Sequence, residues 1–419
     1  MKKLICWLLA LAMVLTVGGC KRNTEAETET REPSEVVTTE TEAATEPEIL
    51  EVPYETEGDQ RPYTGVVLEL QSALASSDKE AMAVIKAAEY FETTTGAVVN
   101  IHWQEDGLDV TQADIFEVAS GLLASDYLDH ALDLTEMAQA ADYDSWSFEA
   151  LRQQVIDRCG YLAGIASVPH LTALYYDADG LELADVDAIP GNWIEFLILC
   201  KNLQEQGWAP FAMDAEYAYL ATELHLEHTL GAEGLKAFID SGWAENEDAT
   251  FAVEQIGTLI GSGYLYKNMP LAYPEGFLGL ATGGAMMMAS SDRICKTMEL
   301  DGGMSVRWGV VPWPGDGAGT GMAVDEEVLS INKNTENPQA AFDFIRLLTS
   351  GEFDQLRADL REGIPADPNN DSMIRGAVET MQKATPHEFG LLNVEFNEVY
   401  AQLWQGAYPA GNAFYKALG

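Results

Sequence analysis

The sequence predicts an α/β fold of two or three domains, and three observations lead there. At 419 residues the chain is long enough to build more than one core. Its composition, 47% apolar and 9% aromatic, is that of a globular protein and excludes a disordered or fibrous one. From residue 63 onward, short apolar and β-branched runs alternate with segments of helical periodicity. That alternation is the pattern of largely parallel sheets with helices packed on their faces.

The elements follow in order. Met1-Lys2-Lys3 is a short basic segment, and the apolar run 4–17 is short for a membrane span. It ends in Val17-Gly18-Gly19-Cys20, which resembles the lipobox of bacterial lipoproteins. The resemblance implies a signal peptide at 1–19, a diacylglycerol on the Cys20 sulfur and acylation of the new amino terminus. Two or three chains, at about 0.8 kcal/mol per buried methylene, make a durable anchor. An ordinary cleaved signal peptide with a chance cysteine is the alternative. Residues 20–62 are rich in Glu, Thr and Pro and nearly free of aromatics. Such a stretch buries too little apolar surface to offset its ordering entropy, and its carboxylates repel one another, so it reads as an extended, disordered tether.

The folded part opens with a strand at 65–70 and a loop through Ser76-Ser77-Asp78. A helix over 79–94 carries Met82, Ile85, Tyr90 and Phe91 at helical spacing, Gly96 closes it, and 98–103 is a second strand. Helices at 193–206, 234–241, 253–262 and 340–350 continue the alternation, and no repeat of solenoid period is visible.

Several function classes fall away. A formal net charge of −45 would repel a nucleic-acid backbone and keeps an extracytoplasmic protein soluble. The five cysteines form no C-x-x-C pair, and Cys159, Cys200 and Cys295 stand singly among apolar residues, so neither a disulfide framework nor a zinc site is implied. His225 and His228 at i,i+3, beside Glu223 and Glu227, lack an outlying third ligand. The run from Asp367 to Asp371 starts like a calcium loop, but Ser372 replaces its glycine and Val378 its closing acid. The glycine-rich stretch from Gly315 has no following Lys-Ser/Thr, and no G-x-S-x-G elbow occurs. No metal or cofactor is implied.

Seven segments in register then point to one family. Ala87-Ala88-Glu89-Tyr90-Phe91-Glu92-Thr93-Thr94-Thr95-Gly96 reads as a first helix and its exit. Asp114-Ile115-Phe116 precedes Leu132-Asp133-Leu134-Thr135, and Gly164-Ile165-Ala166-Ser167-Val168-Pro169 precedes Leu174-Tyr175-Tyr176-Asp177. Asn192-Trp193-Ile194-Glu195-Phe196 runs on to Gly207-Trp208-Ala209-Pro210-Phe211. Phe277 with Gly283-Gly284-Ala285-Met286-Met287-Met288, then Trp308-Gly309-Val310-Val311-Pro312-Trp313, then Ser330-Ile331-Asn332-Lys333-Asn334 complete the series. In that order they resemble the family 1 extracellular solute-binding proteins, the maltose-binding-protein-like receptors of ABC transporters. Two departures stand out. Only residues 104–113 separate the second strand from Asp114, where the family places a helix, and Ala289-Ser290-Ser291-Asp292 stands where the family often has a sugar-stacking tryptophan.

The resemblance implies a two-lobed, periplasmic-binding-protein-like (type II) α/β fold with discontinuous lobes and an interlobe cleft. The first lobe would hold 63–173 plus 329–364 and the second 178–321 plus 365–419, with hinge crossings at 174–177 and 322–328. It implies a receptor, not an enzyme. Its solute would be a sugar or oligosaccharide, neutral because the protein's field repels acidic glycans. Its partners would be ABC permease subunits and, through the lipid, the outer face of the cell membrane; the receptor itself would be a monomer. A receptor-like sensor for a membrane kinase and a secreted glycan-processing enzyme are the other readings. A sugar cleft needs aromatic platforms beside hydrogen-bonding groups. Candidates at strand ends and loops are Ser76, Ser77, Trp103, Glu105, His170, Tyr217, Tyr219, Asp292, Trp313 and Glu326; core packing is the alternative use of each aromatic.

Overall fold

In the computed structural model, the residues described are 61–386, apart from 108, 215–217, 242–245, 269–270, 272–273, 293–305 and 316–322. Strand β1, Val67–Gln71, alternates buried Leu68 and Leu70 with less buried neighbours, as a strand covered mainly on one face does. Helix α1, Ala81–Thr95, packs against it through Ala81, Ala83, Val84, Ala87, Ala88 and Phe91. This differs from the expected face. Met82, Ile85 and Tyr90 are exposed, because the small alanine stripe lets the helix axis lie close to its neighbours and turns the larger side chains outward. Gly96 ends the helix at φ 81°, its N–H bonding back to the Glu92 carbonyl. A Cβ at this position would also meet Thr64 Oγ1 at 2.9 Å.

Strand β2, Val98–His102, and strand β3, Ile115–Ala119, flank β1, both parallel to it. Between them 104–113 holds only the tight turns Gln104–Asp106 and Val110–Gln112, so this segment is as short as its sequence implied. Helix α2, Glu149–Cys159, leads into β4, Ile165–Asp177, at 13 residues the longest of the described strands. Helix α3, Trp193–Glu205, starts where the Asn192 side chain accepts from the N–H groups of Ile194 and Glu195 at 3.0 and 3.2 Å, satisfying two donors of the first turn. Helix α4, Ala218–Asp240, extends well ahead of the expected 234–241 and is broken at Gly231, φ 75°. Helix α5 is Glu247–Gly261, helix α6 is Glu275–Ala281 and strand β5 is Met287–Ser291. Strands β6, Trp308–Val311, and β7, Ala323–Ile331, precede the helices α7, Pro338–Thr349, and α8, Gly351–Arg361.

The strands form one seven-stranded sheet in the order β2-β1-β3-β7-β4-β5, with β6 also paired to β4. Among the ladders between described strands, those of β1 with β2 and β3 are parallel; β7 runs antiparallel to β3 and β4, and β4 antiparallel to β5 and β6. The expectation of largely parallel pairing therefore holds for the first three strands and not for the rest. The reason is topological: the chain leaves the first core along β4 and returns along β7, and an outgoing and a returning strand side by side must be antiparallel.

Two main cores result, with a third cluster between them. The first packs Leu68, Leu70, Ile115 and Phe116 against Phe91, Phe344 and Ile345, and it draws on both 68–165 and 328–348. The second gathers Trp193, Phe196, Phe211, Ile256 and Trp313 with Leu174 and Ala289. The third sets Leu171, Ala173 and Tyr175 of β4 against Phe277, Leu280, Met288 and Ile374. Strand periodicity explains this sharing: Leu174 points to one side of β4, and Leu171, Ala173 and Tyr175 point to the other. The stretch of β4 shared with β7 is Ile165–Thr172, whereas residues 174–177 pair with β5 and β6.

Candidate functional site

Parallel strands present their ligands at their carboxyl ends. The loops leaving β1 and β2 lie there side by side. Gln104 N–H donates to the Leu74 carbonyl at 2.8 Å, and Ser76 N–H donates to Glu105 Oε1 at 3.0 Å and Oε2 at 3.3 Å. Hydrogen bonds from Ser76 hold the exposed Glu105 carboxyl below its usual range. Trp103, half-buried against the first core, donates its backbone N–H to Asp106 at 2.9 Å. Four of the expected residues, Ser76, Ser77, Trp103 and Glu105, thus share one patch, with both serines exposed.

Beneath the patch lies a buried ionic cluster. Glu117 of β3 accepts from Arg357 Nη2 at 2.6 Å, from Ser167 Oγ at 2.8 Å, from Ser72 Oγ at 3.1 Å and from Ala73 N–H at 3.3 Å. A bulge in β4 between Ala166 and Val168 turns Ser167 toward this carboxylate. Burial opposes ionisation of Glu117, but the Arg357 charge and these donors outweigh it and keep the carboxyl below its ordinary value. Arg357 comes from α8, whose buried stripe is Asp354, Arg357, Ala358 and Arg361, so this helix turns charge inward. Sequence reasoning missed the cluster. Its signals were the acid inside the apolar strand Ile115–Ala119 and arginines four apart in line with Asp354.

The expected residues His170, Asp292 and Glu326 form a second group, where the sheet passes between the cores. The face of β4 and β5 that is core at Leu174 and Ala289 continues as Thr172 and Ser291, which pair in register, and as His170; all three are partly exposed. The sheet therefore opens from core to solvent along one face. Asp292 is 5% exposed and binds the His170 ring, with its oxygens 3.1 and 3.3 Å from Nδ1. Glu326 lies opposite Pro169 on β7, buried, with Arg158 Nη1 at 3.7 Å. Glu117, Ser72 and Ser167 connect the two groups, since they join the exit of β1 to the start of this crossing.

Trp313 is elsewhere. It is 1% exposed, packed on Trp193, Phe196 and Phe211, and its Nε1–H donates to His225 Nδ1 at 3.1 Å. The core-packing use of this tryptophan prevails over the platform use, because the strand end that carries it turns into the second core. His225 is likewise a core residue: it gives Nε2–H to Gln255 at 2.7 Å, and burial pushes its pKa down to about 4. No group of three or more His, Cys, Asp or Glu among the described residues is arranged to hold a metal. Tyr217, the side chain of Tyr219, and Cys20 lie outside the described residues. A cavity of about 180 Å³ lined by Tyr176, Leu181, Asp185 and Arg375 sits at the far end of β4 from His170.

Residues 73–352 match the family model of the bacterial extracellular solute-binding proteins. The chain belongs to that family. Its members bind solutes and are not enzymes. Among solved structures, this solute-binding protein is similar to the apo form of RafE from Streptococcus pneumoniae, with 14% identity, TM-score 0.66, and coverage of 84% of this chain and 97% of that one. A family 1 extracellular solute-binding protein from Bifidobacterium longum subsp. infantis shows 16% identity, TM-score 0.59, and coverage of 85% and 98%. A cyclo/maltodextrin-binding protein complexed with maltotetraose shows 15% identity, TM-score 0.59, and coverage of 84% and 95%. These likenesses establish the two-lobed α/β fold. No curated protein matches the sequence. No helix among the described residues is long and apolar enough to cross a membrane.

Proposed function

We propose that this solute-binding protein is a lipid-anchored extracytoplasmic receptor that captures a neutral sugar or oligosaccharide and delivers it to an ABC importer. The observation that carries the solute class is the patch at the ends of β1 and β2. There an indole, two exposed serines and a fixed carboxylate come together, and Glu117 links the exit of β1, through Ser72, to Ser167 at the start of the crossing that carries the partly exposed Thr172, Ser291 and His170. Rings for stacking and mixed donors and acceptors are what a sugar requires. The cyclo/maltodextrin-binding neighbour, solved with maltotetraose, supports the same class, and the net charge of −45 disfavours an anionic solute. Residues 63–173 plus 329–364 form one lobe and 178–321 plus 365–419 the other. Closure would bend the chain at the crossings 174–177 and 322–328, the first just past the stretch of β4 that pairs with β7 and the second largely within β7 itself. The Val17–Cys20 signal supports the anchor, and the acidic stretch 20–62 supports a tether.

Calorimetry of the chain without its signal peptide, against a panel of neutral mono- and oligosaccharides, tests the reading. Saturable binding by at least one sugar, weakened by Trp103→Ala, is the expected result. Silence across the panel, with binding instead to a peptide, a polyamine or a metal, would sink it.

A further inference from the structure

Asp292 is buried, 5% exposed, and its partners within the fold are defined. It follows β5 and is docked to β4 by two backbone contacts: Leu171 N–H donates to Oδ1 at 3.0 Å, and Asp292 N–H donates to the Leu171 carbonyl at 3.2 Å. Held this way, its carboxylate meets His170 Nδ1 at 3.1 and 3.3 Å. Burial opposes the charge on Asp292, but the His170 ring, the Leu171 N–H and Arg361 outweigh it, and the carboxyl stays below its usual range. An ionised carboxylate only accepts, so the ring must carry a proton on Nδ1. In the neutral ring Nε2 is then a bare acceptor. Nε2 makes no hydrogen bond with any described residue, and the ring lies on the partly exposed face with Thr172 and Ser291. Across the ladder, Asp325 stands opposite His170 in register and Glu326 opposite Pro169.

Resting on the sugar-receptor reading, we infer that His170 is a specificity-determining contact, accepting a hydrogen bond at Nε2 from one hydroxyl of the solute. Asp292 is the positioning residue that sets the tautomer. This gives the place of the missing sugar-stacking tryptophan a different use. The site reads the direction of a hydroxyl there and not the flat face of a ring.

Two measurements test it. Long-range proton–nitrogen correlation of the ¹⁵N-labelled protein reads the tautomers of its six histidines, and His170→Ala identifies the signal of His170 by its loss. Protonated Nδ1 and bare Nε2 in the native protein are expected, with the opposite tautomer in Asp292→Asn, whose amide can donate to Nδ1. Calorimetry is then run with raffinose, maltotetraose and, for whichever sugar binds, its deoxy analogues. One analogue should bind the native protein about tenfold more weakly and His170→Ala no more weakly than the parent sugar does, the coupling expected of a direct contact. A native ring protonated on Nε2, or equal deoxy penalties in both proteins, overturns the inference. If no sugar binds the native protein, the sugar reading and the hydroxyl contact fall together, while the tautomer still decides the role of Asp292.

Discussion

Replacing Arg357 by Met would leave the Glu117 carboxylate without its countercharge. The two side chains are 0% and 2% exposed and their closest atoms are 2.6 Å apart, so neither water nor a rotated neighbour can substitute. Breaking a buried pair of this kind costs about 3–5 kcal/mol. Ser72, Ser167 and Ala73 still donate to Glu117, which places the loss toward the lower end, near 3 kcal/mol. The pH dependence is the sharper readout. In the native protein Glu117 titrates below its unfolded value of about 4.3, so its contribution is complete above that pH and lost as the pH falls through the folded value. Without Arg357 burial governs, and the folded pKa moves above 4.3. The variant then gains on the native protein as the pH falls from 7 to 5, by up to about 1.4 kcal/mol per pH unit where the proton is bound. Urea denaturation at both pH values measures the gap, and Glu117→Gln combined with Arg357→Met should recover more than half of it. A loss under about 1 kcal/mol at pH 7, or a gap that stays constant with pH, would refute the reasoning.

Other consequences can be measured as directly. Trp313→Ala should destabilise the fold by about 3–5 kcal/mol as a core truncation; unchanged urea stability with lost sugar binding would restore the platform role. His225, neutral in the core with a pKa pushed down to about 4, costs stability as the pH falls from about 6.5 toward 4, because only the unfolded chain takes up the proton. That amounts to roughly 3 kcal/mol over the window, and His225→Gln should flatten the acid limb of a stability–pH curve; an unchanged limb would exclude His225 as its source. Expressed in a bacterial host, the full chain should fractionate with membranes and Cys20→Ala should free it or block its maturation. Soluble native protein with unaltered processing would remove the anchor.

Much of the fold was legible because its determinants are local. The helical periodicity of α1, its Gly96 stop and the start of α3 at Trp193 act within a turn or two of themselves, and the shortness of 104–113 could be read by counting; the buried face of α1 could not, because the large Met82, Ile85 and Tyr90 marked one stripe and the alanines pack on another. What was not legible depends on partners distant in sequence. The antiparallel half of the sheet follows from β7 meeting β4 some 160 residues later, as in the contact between Ser167 and the Glu327 carbonyl. The Glu117–Arg357 pair joins residues 240 apart. The same reasoning sorts the candidate site. Ser76, Ser77, Trp103 and Glu105 sit next to strand ends that periodicity located. Trp313 also follows a strand, but which way that strand end turns is decided by helices packed from elsewhere.

The sharing of β4 and β7 also constrains the order in which the protein can assemble. The first core needs Val328, Phe344 and Ile345, so an emerging N-terminal portion cannot complete its hydrophobic interior until more than 340 residues are available. Parallel strands and distant pairings make such chains slow to fold and leave apolar surface open meanwhile. Under the proposed anchoring, in which Val17–Cys20 would mark the chain for export, this delay would have a use: a polypeptide whose first core is incomplete stays threadable. Interrupting it anywhere between the two crossings would separate the first core from the strand and helix that close it.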